Sequence, residues 1–287
     1  MGLFRKKKKK ALEPQYGLSP THIQTTNYRV YYFKPIEKIL YFLLAFAVGA
    51  IVGYLFYGGI GTDEYGNSTT ITKVADIAIP AITGLIAGKL YLPMRQKQII
   101  EKRKKQLSLQ FRDMLDGIAT SIGAGNNTMN AFYSVYDDLK LQYNEDAFIL
   151  KELEIIISGM QSNFAIEDLL NDFGVRSDNE DIKSFANVFK VCFRKGGNIK
   201  DVIRSTHAIL SQKMEIMEDI ETTVSGSKLD QMIMVFMPIA LVGIIKVMSP
   251  DFAKNFVSGA GLIATTIAIV LFIAAYYLGK KIMSIKI

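Results

Sequence analysis

Four apolar stretches interrupt the chain, at Ile39–Tyr57, Val74–Pro93, Met232–Met248 and Gly259–Gly279, two on each side of a polar middle. Each approaches the ~20 residues that a helix needs to cross the hydrocarbon core of a bilayer. The pattern predicts four transmembrane helices in two pairs. The link at 58–73 is short, so the first two helices should be antiparallel neighbours. Gly49 and Gly53 in the first, and Gly84 and Gly88 in the second, fall four residues apart. That spacing offers a flat stripe for close helix packing, and glycine is also common in membrane helices.

The middle reads as helix throughout. Leu107, Phe111, Met114, Leu115, Ile118 and Ile122 share one face of a helix, and Gly123, Gly125 and Asn126–Asn127 stop it. A second helix is expected from Thr128 to about Leu139. A third runs from about Asp146 to Met160, with Ile149, Leu153, Ile156, Ile157 and Met160 on one face. A short fourth, Ala165–Phe173, should stop at Gly174, and a fifth starts near Asp178 and ends at Gly196–Gly197–Asn198. The sixth begins beyond Asn198 and meets no proline before Pro238, so it can run on into the third span. No strand pattern competes. The fold class predicted is all-α: a polytopic membrane protein with four transmembrane helices in two pairs around a six-helix antiparallel bundle. The domains follow as a basic arm (1–36), a helix pair (37–93), the helical domain (94–231) and a second pair with a short basic tail (232–287).

Charge supplies the sidedness. The formal net charge is +7 over 287 residues. Arg5, Lys6–Lys10, Arg29, Lys34 and Lys38 precede the first span, and Arg95, Lys97, Lys102, Arg103, Lys104 and Lys105 follow the second. The two remaining loops hold only Lys73 and Lys254, and the tail carries Lys280, Lys281 and Lys286. Basic residues collect on the cytoplasmic side, so both termini and the bundle are expected there. The lysines next to the spans also suit acidic lipid headgroups. Nucleic acid is disfavoured, because the stretch Asp137–Asp181 holds twelve carboxylates against Lys140, Lys151 and Arg176. That acidic stretch could instead recruit a basic partner.

The first 35 residues show little periodicity and read as a flexible arm, with Tyr28, Tyr31, Tyr32 and Phe33 as an interfacial aromatic belt. They do not resemble a cleavable signal, whose apolar core would follow the charges closely.

Candidate chemistry is sparse. There is no Walker-type phosphate loop and no metal-ligand cluster, and the one cysteine, Cys192, reads as a buried thiol between Phe189 and Phe193. Ser205 and His207 are two residues apart and face different sides of a helix. No catalytic, cofactor or metal site is predicted, and the chain is not expected to be an enzyme. Asp76, Lys89 and Lys246 lie near span ends rather than at span centres, which weighs against the rival reading, a small transporter or channel.

Two segments carry a resemblance. LSLQFRDMLDGIATSIGAGNNTMNAF (Leu107–Phe132) resembles the opening of the type II secretion system F domain. FKVCFRKGGNIKDVIRSTHAIL (Phe189–Leu210) resembles its second hallmark, a Gly-Gly-Asn turn leading into a long helix. With four spans around one copy, the layout is similar to the TadB/TadC-like platform proteins of Flp (tight-adherence) pilus assembly. Arg112-Asp113-Met114 stands where relatives often have Leu-Pro. The resemblance implies a non-enzymatic platform in the bacterial plasma membrane. Its implied partners are a hexameric secretion ATPase, pilin or prepilin subunits, and a paralogous platform protein or a second copy. It also implies ATPase contact at the matched turns, Gly123, Gly125 and Asn126, and Arg194, Lys195, Gly196, Gly197 and Asn198.

Overall fold

The computed structural model describes residues 13–19, 21–63 and 68–283, with the side chains of 250–252, 280 and 283 left aside. Lys6–Lys10, Pro20 and Lys286 lie outside the described residues. The elements in order are β1 (Tyr16–Leu18), β2 (Gln24–Thr26), α1 (Pro35–Tyr57), α2 (Thr70–Gly123), α3 (Thr128–Gln142), α4 (Phe148–Gln161), α5 (Ile166–Ser177), α6 (Glu180–Lys195), α7 (Ile199–Met248), α8 (Pro250–Val257) and α9 (Gly259–Met283). Among the described residues the fold is all-α apart from the antiparallel β1–β2 hairpin. It divides into two compact units. One joins the described residues up to Tyr32 with Gln96–Glu215, and the other joins Phe33–Arg95 with those from Ile216 onward.

The first unit is a helical bundle. Leu107, Phe111, Met114, Leu115 and Ile118 of α2 are completely buried, as their shared helix face predicts. Phe132 and Val135 of α3, Ile149 and Leu153 of α4, Phe173 of α5 and Phe185 and Phe189 of α6 close the core. Phe111 meets Phe173 and Phe185 edge-on at 6.0 and 5.5 Å. Asn127 caps α3 by accepting the Asn130 N–H, and Asn179 caps α6 by accepting those of Asp181 and Ile182. Helix α4 lacks a cap of its own; buried Gln110 of α2 accepts its Ile149 N–H at 3.2 Å. Along α7 full burial ends at Met214, and Met217, Ile220 and Val224 beyond it are half-buried.

Three sequence expectations change. Gly174 does not stop α5, which continues to Ser177 and ends at Asp178 in the left-handed conformation. Gly174 is instead a close-approach site: a Cβ there would sit 3.0 Å from the Lys183 Cα of α6. The described residues 13–19 and 21–32 are not a loose arm. They form the hairpin, and Tyr28, read as an interfacial aromatic, is 1% exposed within the bundle core. Cys192 is half-buried rather than buried.

In the second unit, α1 and α2 pack antiparallel. Cβ atoms added at Gly49 and Gly53 would lie 2.6 Å from Ala87 Cβ and 2.1 Å from Thr83 Oγ1. Those at Gly84 and Gly88 would lie 2.8 and 2.6 Å from the Phe46 and Phe42 rings. Thr83 Oγ1 donates to the Gly49 carbonyl at 3.0 Å. Helix α2 continues through Pro80 and Pro93 and the basic stretch after them, and α7 continues past Gly226 and Pro238. Among the described residues four helices, α1, α2, α7 and α9, are long and apolar enough to cross a membrane. At most 11% of each apolar window is buried within the protein, which is consistent with a multi-pass membrane protein.

Candidate functional site

Chain direction decides which turns of an antiparallel bundle share an end. The α2–α3, α4–α5 and α6–α7 turns fall together. Met129 at the start of α3, Asn163 and Phe164 in the α4–α5 turn and Phe193 near the end of α6 line one groove of about 410 Å³. Lys200, at the start of α7, comes within 3.9 Å of where a Cβ on Gly123 would sit. The two motif-matched turns therefore meet at one end of the bundle, a proximity that linear spacing does not reveal.

Each turn is closed by backbone geometry. Gly196 caps α6 at φ 70°, and the Gly196 and Gly197 N–H groups both donate to the Cys192 carbonyl. This left-handed closure favours glycine. Gly125 has φ 97°, with open space where a Cβ would point. Asn126 donates from Nδ2 to Ser121 Oγ at 2.9 Å. Asn198 donates from Nδ2 to Asp201 Oδ2 at 2.6 Å rather than capping α7 through its side-chain oxygen. Arg194 donates to the buried Glu167 at 3.1 Å, and Lys195 is exposed.

The acidic stretch is largely satisfied internally. Seven of its twelve carboxylates face basic side chains: Asp146–Lys151, Glu152–Arg176, Glu167–Arg194, Asp168–Lys190, Asp172–Arg176, Asp178–Lys104 and Asp181–Lys213. What stays open to solvent concentrates at the α3–α4 corner, at Asp137, Asp138, Glu145 and Glu154. There Tyr136 donates to Glu154 at 2.5 Å, and that hydrogen bond pushes its phenol up to about 12.

At the opposite side of the same unit, a buried network ties the hairpin down. Glu152 sits 1% exposed and accepts from Tyr28 Oη at 3.0 Å and from the Arg176 guanidinium at 2.8 and 2.6 Å. Arg176 also donates to the Thr26 carbonyl at 3.2 Å and to Asp172 at 2.7 Å. Burial pushes the Glu152 carboxyl above the usual carboxylate range, against the lowering pull of Arg176. Burial and then the neighbouring carboxylate push the Tyr28 phenol well up. Burial alone would lower the Arg176 guanidinium, but Glu152 and Asp172 more than reverse that, so it stays charged. Arg29 and Lys104 both reach Asp178, and the Arg103 guanidinium stacks 4.3 Å from the Tyr31 ring centre. The one trace of this network in the sequence is Glu152 standing between Ile149 and Ile156 on an apolar helix face. A carboxylate at such a position calls for a buried partner.

In the second unit, the turn after α1 collects polar groups. Gly59 N–H donates to Asp76 at 2.7 Å, and Lys246 of α7 donates to the Gly58 carbonyl at 3.2 Å. Tyr57 and Thr266 of α9 share a hydrogen bond at 3.0 Å. These contacts account for both charged groups as local ties. Among the described residues no cluster of metal-ligating side chains occurs. The one histidine–serine–carboxylate grouping has Nε2 of His207 facing both Ser211 (3.4 Å) and Asp116 (3.7 Å). A relay needs the two ring nitrogens to serve the two partners separately.

Compared with protein-family models, with curated proteins and with solved structures, the chain matches none of them.

Proposed function

We propose that this chain is a non-enzymatic platform protein of a type IV pilus-like (Flp/Tad) assembly or type II secretion machine. It sits in the bacterial plasma membrane with both termini and the bundle in the cytoplasm. There it couples a hexameric secretion ATPase to the insertion or extraction of pilin subunits. The observation that carries the reading is the meeting of the two motif-matched turns, Gly123–Asn127 and Arg194–Asn198, at one end of a helical bundle. That bundle is connected through the continuous helices α2 and α7 to four apolar helices. The basic residues beside those helices support the cytoplasmic assignment.

The test is reconstitution. The full chain in lipid nanodiscs should bind a purified secretion ATPase from the same cells and change its turnover, and deletion of its gene should abolish surface pili or secretion while prepilin accumulates. Loss of neither function on deletion would refute the proposal. Solute flux through vesicles holding the purified chain would favour the channel reading instead. Protease added outside intact cells should spare residues 106–231.

A further inference from the structure

We infer that the outer edge of β1 is an interface between two copies of this chain, whose β1 strands pair antiparallel about a two-fold at Gly17. The inference does not rest on the platform reading.

The register of the hairpin decides which main-chain groups are free. Tyr16 lies opposite Thr26, Gly17 opposite Thr25 and Leu18 opposite Gln24. The Asn27 N–H donates to the Gln15 carbonyl at 2.9 Å, and the Ser19 N–H donates to the Ile23 carbonyl at 2.8 Å. Hydrogen-bonded and non-hydrogen-bonded pairs alternate along an antiparallel ladder. Residues 15, 17 and 19 therefore bond within the hairpin, and the N–H and C=O groups of Tyr16 and Leu18 point out of the β1 edge. Those four groups have no partner among the described residues. The other edge is covered, because the Thr26 carbonyl, which points out of β2, accepts from Arg176. All of β1 is exposed, with Tyr16 at 52% and Leu18 at 70%. An open apolar edge of this kind is a template for another strand.

The sequence of the edge selects a second copy as that strand. Pro14-Gln15-Tyr16-Gly17-Leu18-Ser19-Pro20 reads proline, polar, apolar, glycine, apolar, polar, proline in either direction. An antiparallel pair centred on Gly17 sets each Tyr16 opposite Leu18 of the other copy. It joins their outward groups in four N–H···O=C bonds and makes two aromatic–aliphatic side-chain pairs. Gln15 then falls opposite Ser19. Proline falls opposite proline at both ends, where the missing N–H stops the ladder. Glu13, the one charged residue in 13–21, falls opposite Thr21, so no like charges meet. The Tyr16 and Leu18 side chains sit on the face away from Gly17 and the buried Thr25. Five residues a side make a small contact, in the range of transient interfaces. It holds where two copies share a bilayer and so a high effective concentration.

The experiment is disulfide capture with the full chain in lipid vesicles, in a Cys192→Ser background that removes the native thiol. Opposed Tyr16 and Leu18 positions have Cα atoms about 5.5 Å apart, within disulfide reach. Like positions are offset by two residues, beyond the ~7 Å limit. A mixture of Tyr16→Cys and Leu18→Cys copies should therefore cross-link at least about tenfold faster than either variant alone. Leu18→Pro deletes an outward N–H and leaves the ladder bonds of Gly17 and Ser19 in place, a change that an edge strand accepts. Energy transfer between copies labelled on a C-terminal tag should show Leu18→Pro weakening association at least about tenfold. Unchanged amide exchange at Gly17 and Thr25 checks that its hairpin stays closed. Equal cross-linking in mixed and unmixed samples, or association that survives Leu18→Pro, overturns the interface. Capture of Tyr16→Cys by a different protein in native membranes, with mixed copies unlinked, also overturns it and assigns the edge to a foreign strand.

Discussion

Arg176→Met should be the most damaging single change at the junction of hairpin and bundle. Arg176 supplies the only guanidinium contact to Glu152 among the described residues, in a pair whose side chains are 13% and 1% exposed. Removing it leaves a carboxylate buried without its cation, a loss that costs about 3–5 kcal/mol. Glu152→Gln is different in kind. It keeps a hydrogen-bonding group of the same shape, removes the charge that burial disfavours, and leaves Arg176 with Asp172. Its cost should be about 1 kcal/mol. The double variant Glu152→Gln/Arg176→Met should recover much of what Arg176→Met loses. Thermal unfolding of the full chain in nanodiscs reads this out, at about 3 °C per kcal/mol for a domain of this size. Hydrogen exchange at the hairpin amides supplies the local measure. The pH dependence follows from the direction of the Glu152 shift. Its folded-state pKa is raised, so its favourable contribution is complete below the ordinary carboxylate range and is lost as pH rises through the folded value. Without Arg176 the carboxyl moves higher still, and the penalty of Arg176→Met should shrink by up to about 1.4 kcal/mol per unit on acidification. An Arg176→Met variant no less stable than Glu152→Gln, or a penalty unchanged between neutral and acidic pH, would refute this account.

Other outcomes are equally specific. Gly53→Val places branched carbons where a first Cβ already lies 2.1 Å from Thr83 Oγ1, and should separate α1 from α2 and lower the thermal midpoint by several degrees, about 1–3 kcal/mol. Gly226→Ala meets nothing within 4 Å in mid-helix, and should stabilise α7 by about 0.5–1 kcal/mol, seen as slower amide exchange around residue 226. Gly196→Ala forces a side chain into φ 70° and should cost about 1–2 kcal/mol in the same melts. Glu154→Gln should bring the Tyr136 phenol down from about 12 toward its ordinary value, followed by ultraviolet or NMR titration.

Much of this architecture was legible in the chain. The four apolar runs and the helices ending at Gly123, Gln161 and Lys195 follow from length, periodicity and stop residues, which are local properties. Three features were not. Helix α2 passes Pro93 and a run of lysines because its other face is held. Gln96 donates to the Tyr31 carbonyl at 2.5 Å, Arg103 stacks on Tyr31, and Lys104 pairs with Asp178. Those partners are distant in sequence, so periodicity over 94–106 carries no trace of them. The strands Tyr16–Leu18 and Gln24–Thr26 are three residues each, too short for alternation to register. Gly174 looks like a stop in sequence, and only the nearness of α6 shows why it is small. At the candidate site, the turn residues could be read individually, whereas their convergence with Met129 and Phe164 depends on how the bundle folds back.

The hairpin also sets a schedule for biosynthesis. Tyr28 closes against Glu152 124 residues later, and Thr26 against Arg176 150 residues later. At about 5–20 residues per second, the ribosome needs roughly 6–30 s to deliver those partners. Both α1 and α2 are translated in that interval. The nascent hairpin must therefore wait with its tyrosine uncovered while two greasy segments leave the exit tunnel, and a holding chaperone or a translational pause near residue 180 would matter more here than in a domain whose sequence is contiguous.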